Sequence, residues 1–334
     1  IPDAKVFFTN SGTEANETAL LLATCARGTD QVLAMRNSYH GRSFGTVAVT
    51  GNRGWKNSAL SPLNVHYLHG TDRDAPAFRG MSDADFIDAC VADLRDVLAT
   101  AAAPDVACLI AEPVQGVGGF TMAPDGLFAA YKEVLDEEGI LFVADEVQTG
   151  WGRIGSAFWG IADHGVTPDA MTFAKGLGNG FAVGGVVARG DLMDGLTANG
   201  VSTFGGNPVA MAAANATLDY LLDHDLQSNA ARLGPLLLDG LSPLADLAAV
   251  GAVRGKGLLF AVEMVDPATG APAPALAAAV LEETRRRGLL IGKGGLRGNV
   301  LRMAPPMTID EAEVCEGRDI LVDAITEVDR AAQA

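Results

Sequence analysis

Three short stretches put reactive side chains next to residues that clear space around them. In "MTFAKGLGNGF" (171–181), Lys175 follows an apolar run and is trailed by Gly176, Gly178 and Gly180, with Gly184 beyond. A lysine at a strand end ordinarily reaches out to solvent, and lysines are rarely buried without a partner. Set instead against apolar residues and bare backbone, a lysine of lowered pKa is suited to Schiff-base formation with an aldehyde. In "ILFVADEVQTGWGR" (140–153), an apolar strand delivers Asp145 and Glu146 at its carboxyl end. Open α/β sheets bind ligands at that edge. One carboxylate there can grip a metal-bound nucleotide or a protonated ring nitrogen. The nucleotide reading needs a GxxxxGK[ST] loop. The nearest stretch, "GAVRGKG" (251–257), has three residues between its glycines and no hydroxyl after the lysine, so that reading is set aside.

The third stretch, "TNSGTEAN" (9–16), carries small and hydroxylated residues from a strand into a helix. Free N–H groups and the helix dipole make such a point an anion site. Plain capping by Ser11 or Thr13, completed by Glu14 or Glu17, explains the same residues. A phosphate cradle, a strand-end aspartate and a lysine together match the needs of pyridoxal phosphate. The phosphate goes to the helix N-terminus and the aldehyde carbon to Lys175, while Asp145 keeps the ring nitrogen protonated.

These residues need a scaffold that brings strand ends together. Short apolar runs at 5–10, 31–35, 64–68, 106–112, 140–146, 170–174 and 183–188 read as strands covered on both faces. Helices are expected at 14–26, 82–101 and 125–138. Ala15, Ala19, Leu22, Ala23 and Ala26 share one face of the first. The pattern predicts an α/β domain with a mostly parallel sheet and helices on both faces. After about residue 207 two consecutive helices follow, then strands and helices segregate, with a last helix from about 309 to 330. The expected domains are 1–223, a large cofactor-binding domain, and 224–334, a smaller α+β domain.

The totals fit a globular catalyst. The chain has 334 residues, 49% of them hydrophobic and 19% charged, enough for a large core. With a net charge of −17 and no basic cluster, neither nucleic acid nor an anionic membrane is an expected partner. Cys25, Cys90, Cys108 and Cys315 lack CxxC spacing and are expected to be mostly buried free thiols in a reducing cytoplasm, with no metal site. No run is long enough to span a membrane and no signal peptide is evident. The sequence opens at Ile1 within the lead-in to a strand, so an N-terminal segment is expected to precede it.

The motifs "FFTNSGTEAN", "YHGR", "AEPVQG", "ADEVQTGWGR", "FAKGLGNG", "STFGGNP" and "LRMAPP", in this order along the whole chain, resemble those of class III (ornithine/4-aminobutyrate type) aminotransferases of fold type I. The resemblance implies a homodimeric, pyridoxal 5'-phosphate-dependent transaminase with its active site at the subunit interface. By that pattern Gly12 and Thr13 would hold the phosphate, Tyr39 would stack on the ring, Asp145 would pair with its nitrogen and Val147 would pack on the other face. Gln148 would approach the ring hydroxyl, Lys175 would form the internal aldimine and act as the base, and Thr203 would reach the partner subunit's cofactor phosphate. Glu112 would lie near the ring, in either a structural or a catalytic role.

Substrate positions follow from the same resemblance. Arg302 would bind the substrate carboxylate, its alternative being a surface ion pair. Arg42 and Ser202 match positions that touch substrate in acetylornithine-type members. Ornithine and 4-aminobutyrate enzymes carry a glutamate after "EPxQG" that masks the arginine, and here that position is Val117. With "RGKGLL" and "LLIGKGG", this pattern looks closer to the alanine–glyoxylate/β-amino-acid branch. The expected reaction moves an amino group from alanine or a β- or ω-amino acid to pyruvate or glyoxylate. The alternatives are a 4-aminobutyrate or ornithine transaminase using 2-oxoglutarate, a decarboxylase, racemase or aminomutase on the same scaffold, and a non-catalytic fragment or binding protein.

Overall fold

A computed structural model describes all residues except 57–59, 74, 76 and 334. The chain divides into two compact units. The first comprises 1–116, 122–151 and 159–223, and the second comprises 117–121, 152–158 and 224–334.

The first unit is built on a seven-stranded sheet. Its strands are β1 (Lys5–Thr9), β2 (Gln31–Met35), β3 (Asn64–Leu68), β4 (Cys108–Ala111), β7 (Leu141–Asp145), β8 (Ala170–Phe173) and β9 (Gly184–Ala188). Two-residue strands β5 (Val114–Gln115) and β6 (Thr121–Met122) intervene in the chain. The spatial order is β1-β9-β8-β7-β4-β2-β3. Strands β3, β2, β4, β7 and β8 pair in parallel, and β9 runs antiparallel to both β8 and β1.

Side chains alternate across a strand, which explains why these runs are apolar throughout. On one face Leu33, Met35, Leu109, Ala111, Phe142 and Ala144 pack under α3 (Asp83–Thr100) and α4 (Leu127–Glu137), which contribute Phe86, Leu94, Phe128 and Tyr131. On the other, Val32, Ala34, Cys108, Ile110, Leu141 and Val143 meet Ala19, Leu20, Leu22 and Ala23 of α1 (Gly12–Arg27). Helix α1 starts where Ser11, in extended backbone, accepts the N–H of Glu14 at 3.2 Å, and it stops at left-handed Gly28. Short helices α2 (Phe44–Val49) and α5 (Gly190–Asp194), then α6 (Pro208–Asp223), complete this unit.

The second unit has an antiparallel sheet in the order β10 (Val250–Lys256), β11 (Leu259–Met264), β13 (Val300–Met303) and β12 (Gly292–Gly294). Helices α7 (Leu226–Leu241), α8 (Pro274–Arg286) and α9 (Glu311–Gln333) close its core around Leu233, Phe260, Val262, Leu301 and Ile325. The cysteines depart from expectation: Cys90 and Cys108 are buried, Cys315 is partly buried and Cys25 is exposed. Helical stretches carry both kinds of position, so an apolar neighbourhood in sequence does not fix the face on which a cysteine falls.

Candidate active site

Five strands, β1, β2, β4, β7 and β8, each feed one element of a shared site from the carboxyl end. After β1 comes the first turn of α1, after β2 the loop of Tyr39 and His40, and after β4 Glu112. Strand β7 ends on Asp145, and β8 is followed by Lys175. Together they line a cavity of about 380 Å³. Gly12, Thr13, Tyr39 and Asp145 face it, as do Val147, Gln148 and Lys175. These residues lie far apart in sequence, and the sheet edge brings them together.

Asp145 is buried and surrounded by donors. Its Oδ2 accepts from Asn16 Nδ2 and from His40 Nδ1, both at 2.8 Å, and its Oδ1 accepts the Val147 N–H at 3.1 Å. Glu146, the next residue, turns away. It is bound by the N–H groups of Gly160 and Ile161 at 2.8 and 2.7 Å and by the Thr149 hydroxyl. Burial pushes its carboxyl up, and these donors oppose the shift. Glu112 is clamped in the same way, Oε1 accepting from Tyr39 N–H at 2.8 Å and Oε2 from Gly116 N–H at 2.9 Å. Burial raises it to about 7 against the pull of His40. Burial also raises Tyr39, with Arg42 opposing and Glu112 adding.

The first turn of α1 is held close by glycine. A Cβ on Gly184 would lie 2.6 Å from the Ser11 carbonyl oxygen, and one on Gly12 would lie 3.1 Å from a Val147 methyl. Only bare backbone allows these approaches. Lys175 begins the short 3₁₀ turn Lys175–Gly178 with φ of 44°, in the left-handed region that a lysine seldom adopts. It is exposed at the cavity's edge, whereas Phe173 and Leu177 on either side are buried. The apolar approach of β8 therefore packs beneath the lysine and does not enclose it.

The other expected residues are not among those lining this cavity. Arg42 and Thr203 are exposed, and Ser202 accepts the Gly205 N–H at 3.2 Å beside Asn10. Arg302 belongs to the second unit, on β13, where its guanidinium lies 5.5 Å from the centre of the Phe120 ring. Asn16 and His40 are site residues to which the sequence reading gave no role. The available signal was placement: Asn16 follows Gly12 by one helical turn, and His40 is adjacent to Tyr39.

The donor set fits pyridoxal 5'-phosphate. The first-turn N–H groups of the 16-residue helix α1, with its dipole, suit the phosphate. The acceptor Asp145 suits a protonated ring nitrogen, and the Lys175 amine suits the aldehyde. Among the described residues no cluster of metal-ligating side chains is present, and no helix is long and apolar enough to cross a membrane.

Comparison with known proteins agrees with this geometry. The mitochondrial alanine–glyoxylate aminotransferase 2 homolog 2 of Arabidopsis thaliana is 40% identical over 324 residues, which cover 96% of this chain and 65% of that protein. The 4-aminobutyrate aminotransferase GabT of Escherichia coli is 33% identical over 97% of this chain and 75% of its own. This chain thus spans less than two thirds of the Arabidopsis relative's length. An amine transaminase from an uncultivated Pseudomonas species, solved with pyridoxal phosphate bound, superposes with a TM-score of 0.90 at 34% identity, covering 97% of this chain and 77% of that one. The family Aminotransferase class-III matches residues 1–325. Strand-end chemistry, cofactor fit and kinship converge: the chain belongs to the class III aminotransferases.

Proposed function

We propose that the whole protein is a pyridoxal phosphate-dependent transaminase. It moves an amino group from a small donor, alanine or a β- or ω-amino acid, to a 2-oxo acid such as pyruvate or glyoxylate. The observation that carries this reading is the convergence of Lys175, Asp145 and the α1 N-terminus on one cavity. When bound, pyridoxal phosphate supplies an electron-withdrawing ring that eases loss of a proton beside the substrate nitrogen.

The chain's own residues bind, orient and move the proton. Gly12 and Thr13 take the phosphate, and Tyr39 and Val147 sandwich the ring, an arrangement suited to aromatic stacking on one side. Gln148 approaches the ring hydroxyl and Asp145 accepts the ring N–H. Nζ of Lys175 would hold the cofactor's aldehyde end and, as a free amine, would carry the proton. Arg302 receives the substrate carboxylate, with Arg42 and Ser202 as further contacts.

Position 117 supports the choice of small donors. Val117 is buried and brings no carboxylate to the second unit's arginine. The 40% identity to a protein named for alanine and glyoxylate supports the same branch. A second copy of the chain is part of the proposal. Val201, Phe204 and Val209, which flank Thr203, are 88%, 69% and 63% exposed, and such apolar surface suits burial by a partner. Free cysteines suit a reducing compartment such as the cytoplasm.

The test is a panel of donors and acceptors run with the protein and with Lys175→Ala. Turnover of alanine with glyoxylate, or of a β-amino acid with pyruvate, lost in the variant, is the expected result. Efficient turnover of ornithine or 4-aminobutyrate with 2-oxoglutarate would overturn the substrate choice.

A further inference from the structure

The carboxylate of Asp145 is held asymmetrically, and the asymmetry has two authors that no functional role yet explains. Asn16 Nδ2 and His40 Nδ1 both donate to Oδ2, each at 2.8 Å. Among the described residues, Oδ1 accepts the Val147 N–H alone, at 3.1 Å. A carboxylate oxygen has room for about two donors. Oδ2 is therefore filled, and Oδ1 has one place left.

Each donor is locked by a further shell. Asn16 Oδ1 accepts from the Thr172 hydroxyl at 2.6 Å, and the amide also donates to the His40 carbonyl at 2.8 Å. A flipped amide would set its oxygen against two acceptors, the Asp145 carboxylate and the His40 carbonyl. The orientation is thus set by the network. His40 is anchored through its N–H to Thr50 Oγ1 at 3.1 Å, and Thr50 in turn donates to the Thr46 carbonyl at 2.8 Å. With Nδ1 facing a carboxylate, the ring proton belongs on Nδ1. His40 Nε2 is buried with no hydrogen-bond partner among the described residues, so a proton placed there would face no acceptor. All of these groups are buried, so their hydrogen bonds are poorly exchanged for water.

We propose that Asn16 and His40 are a positioning pair for Asp145. By occupying Oδ2 they present Oδ1 as the oxygen that receives the protonated ring nitrogen of the cofactor. Neither residue touches the cofactor in this proposal; both act through the aspartate. The inference rests on the pyridoxal phosphate reading above and adds to it a means of orienting the acceptor.

The probe is pyridoxamine phosphate, which has no aldehyde and so reports ring and phosphate binding without the link to Lys175. It is titrated into the cofactor-free full chain. His40→Phe keeps a ring and removes the donor, and it is expected to weaken binding by about tenfold or more, the scale of a hydrogen bond to a charged group. His40→Asn restores an N–H near the position of Nδ1 and is expected to return affinity to within about threefold of the wild type. Asn16→Ala is expected to resemble His40→Phe. A lowered melting temperature in His40→Phe with affinity unchanged would assign the histidine to packing alone and overturn the proposal. Equal losses in His40→Phe and His40→Asn would overturn it too. If His40→Phe does not fold, Asn16→Ala decides by the same affinity criterion. Wild-type protein that does not bind the probe overturns the functional reading and this inference with it. Binding that is insensitive to the variants overturns this inference only.

Discussion

Asp145 and Glu146 are chain neighbours whose carboxylates serve opposite sides of one sheet edge. Asp145 lines the cavity, and Glu146 is held by the N–H groups of Gly160 and Ile161 and the Thr149 hydroxyl. The first is available to a bound molecule and the second ties down the turn that follows.

Glu146→Ala is therefore expected to act on stability. Three buried donors lose their acceptor, at a cost of about 3 kcal/mol or more. Asp145→Asn is expected to keep more of the stability and lose cofactor retention. Denaturant midpoints and bound cofactor, measured on both variants, separate the roles. A stability loss in Asp145→Asn as large as in Glu146→Ala, with the cofactor kept, contradicts the assignment.

Glu112 makes stability depend on pH. Its folded carboxyl is raised to about 7 from the ordinary glutamate value of 4.5, chiefly by burial. Between those values the folded chain keeps a proton that the unfolded chain has released. Stability should then fall as pH rises through that window, by at most about 3 kcal/mol. Below it this contribution is fully present. Denaturation at about pH 5 and about pH 7.5 reads the slope, and Glu112→Gln should flatten it. A variant with the wild-type slope would assign the dependence to other groups.

The parallel core of the sheet and the strand-end position of Lys175 and Asp145 were legible because long apolar runs and their boundaries survive in one dimension. The opposed facings of Asp145 and Glu146 were not, since the side-chain phase at a strand's last residue depends on the turn beyond it. The antiparallel course of β9 was equally hidden, because an apolar run carries no direction. Asn16 and His40 lay inside quoted motifs, yet their partners sit 129 and 105 residues away. Arg42, Ser202 and Thr203 rest on resemblance, and nothing in their local sequence fixes where they point.

Gly184→Ala should loosen the anion site. The added methyl would meet the Ser11 carbonyl at 2.6 Å and push the first turn of α1 from β9. Pyridoxal phosphate affinity is expected to fall by about tenfold. Gly317→Ala on α9, which would meet only a Leu289 methyl at 3.8 Å, is the neutral control. Similar affinities for the two variants would remove the cradle from the account.

Arg302→Lys should discriminate between substrates. Lysine cannot form the two parallel bonds that guanidinium offers a carboxylate. KM for alanine is expected to rise by about tenfold or more, and KM for an amine donor lacking a carboxylate should change little. A rise for both would point to a general disturbance of the second unit.

Helix α1 presents its first turn to the cavity and, four residues on, holds Asp145 through Asn16. A helix advances about 1.5 Å per residue, so the two duties are separated by roughly 6 Å along a rigid rod. The helix therefore works as a ruler for its guest. Under the proposed cofactor reading it would set the span between an anion at its N-terminus and a ring nitrogen at Asp145, and favour molecules whose two ends match that span. Inserting one residue in the first turn would rotate Asn16 by about 100° away from the aspartate, and the anchor at one end would no longer be in register with the other.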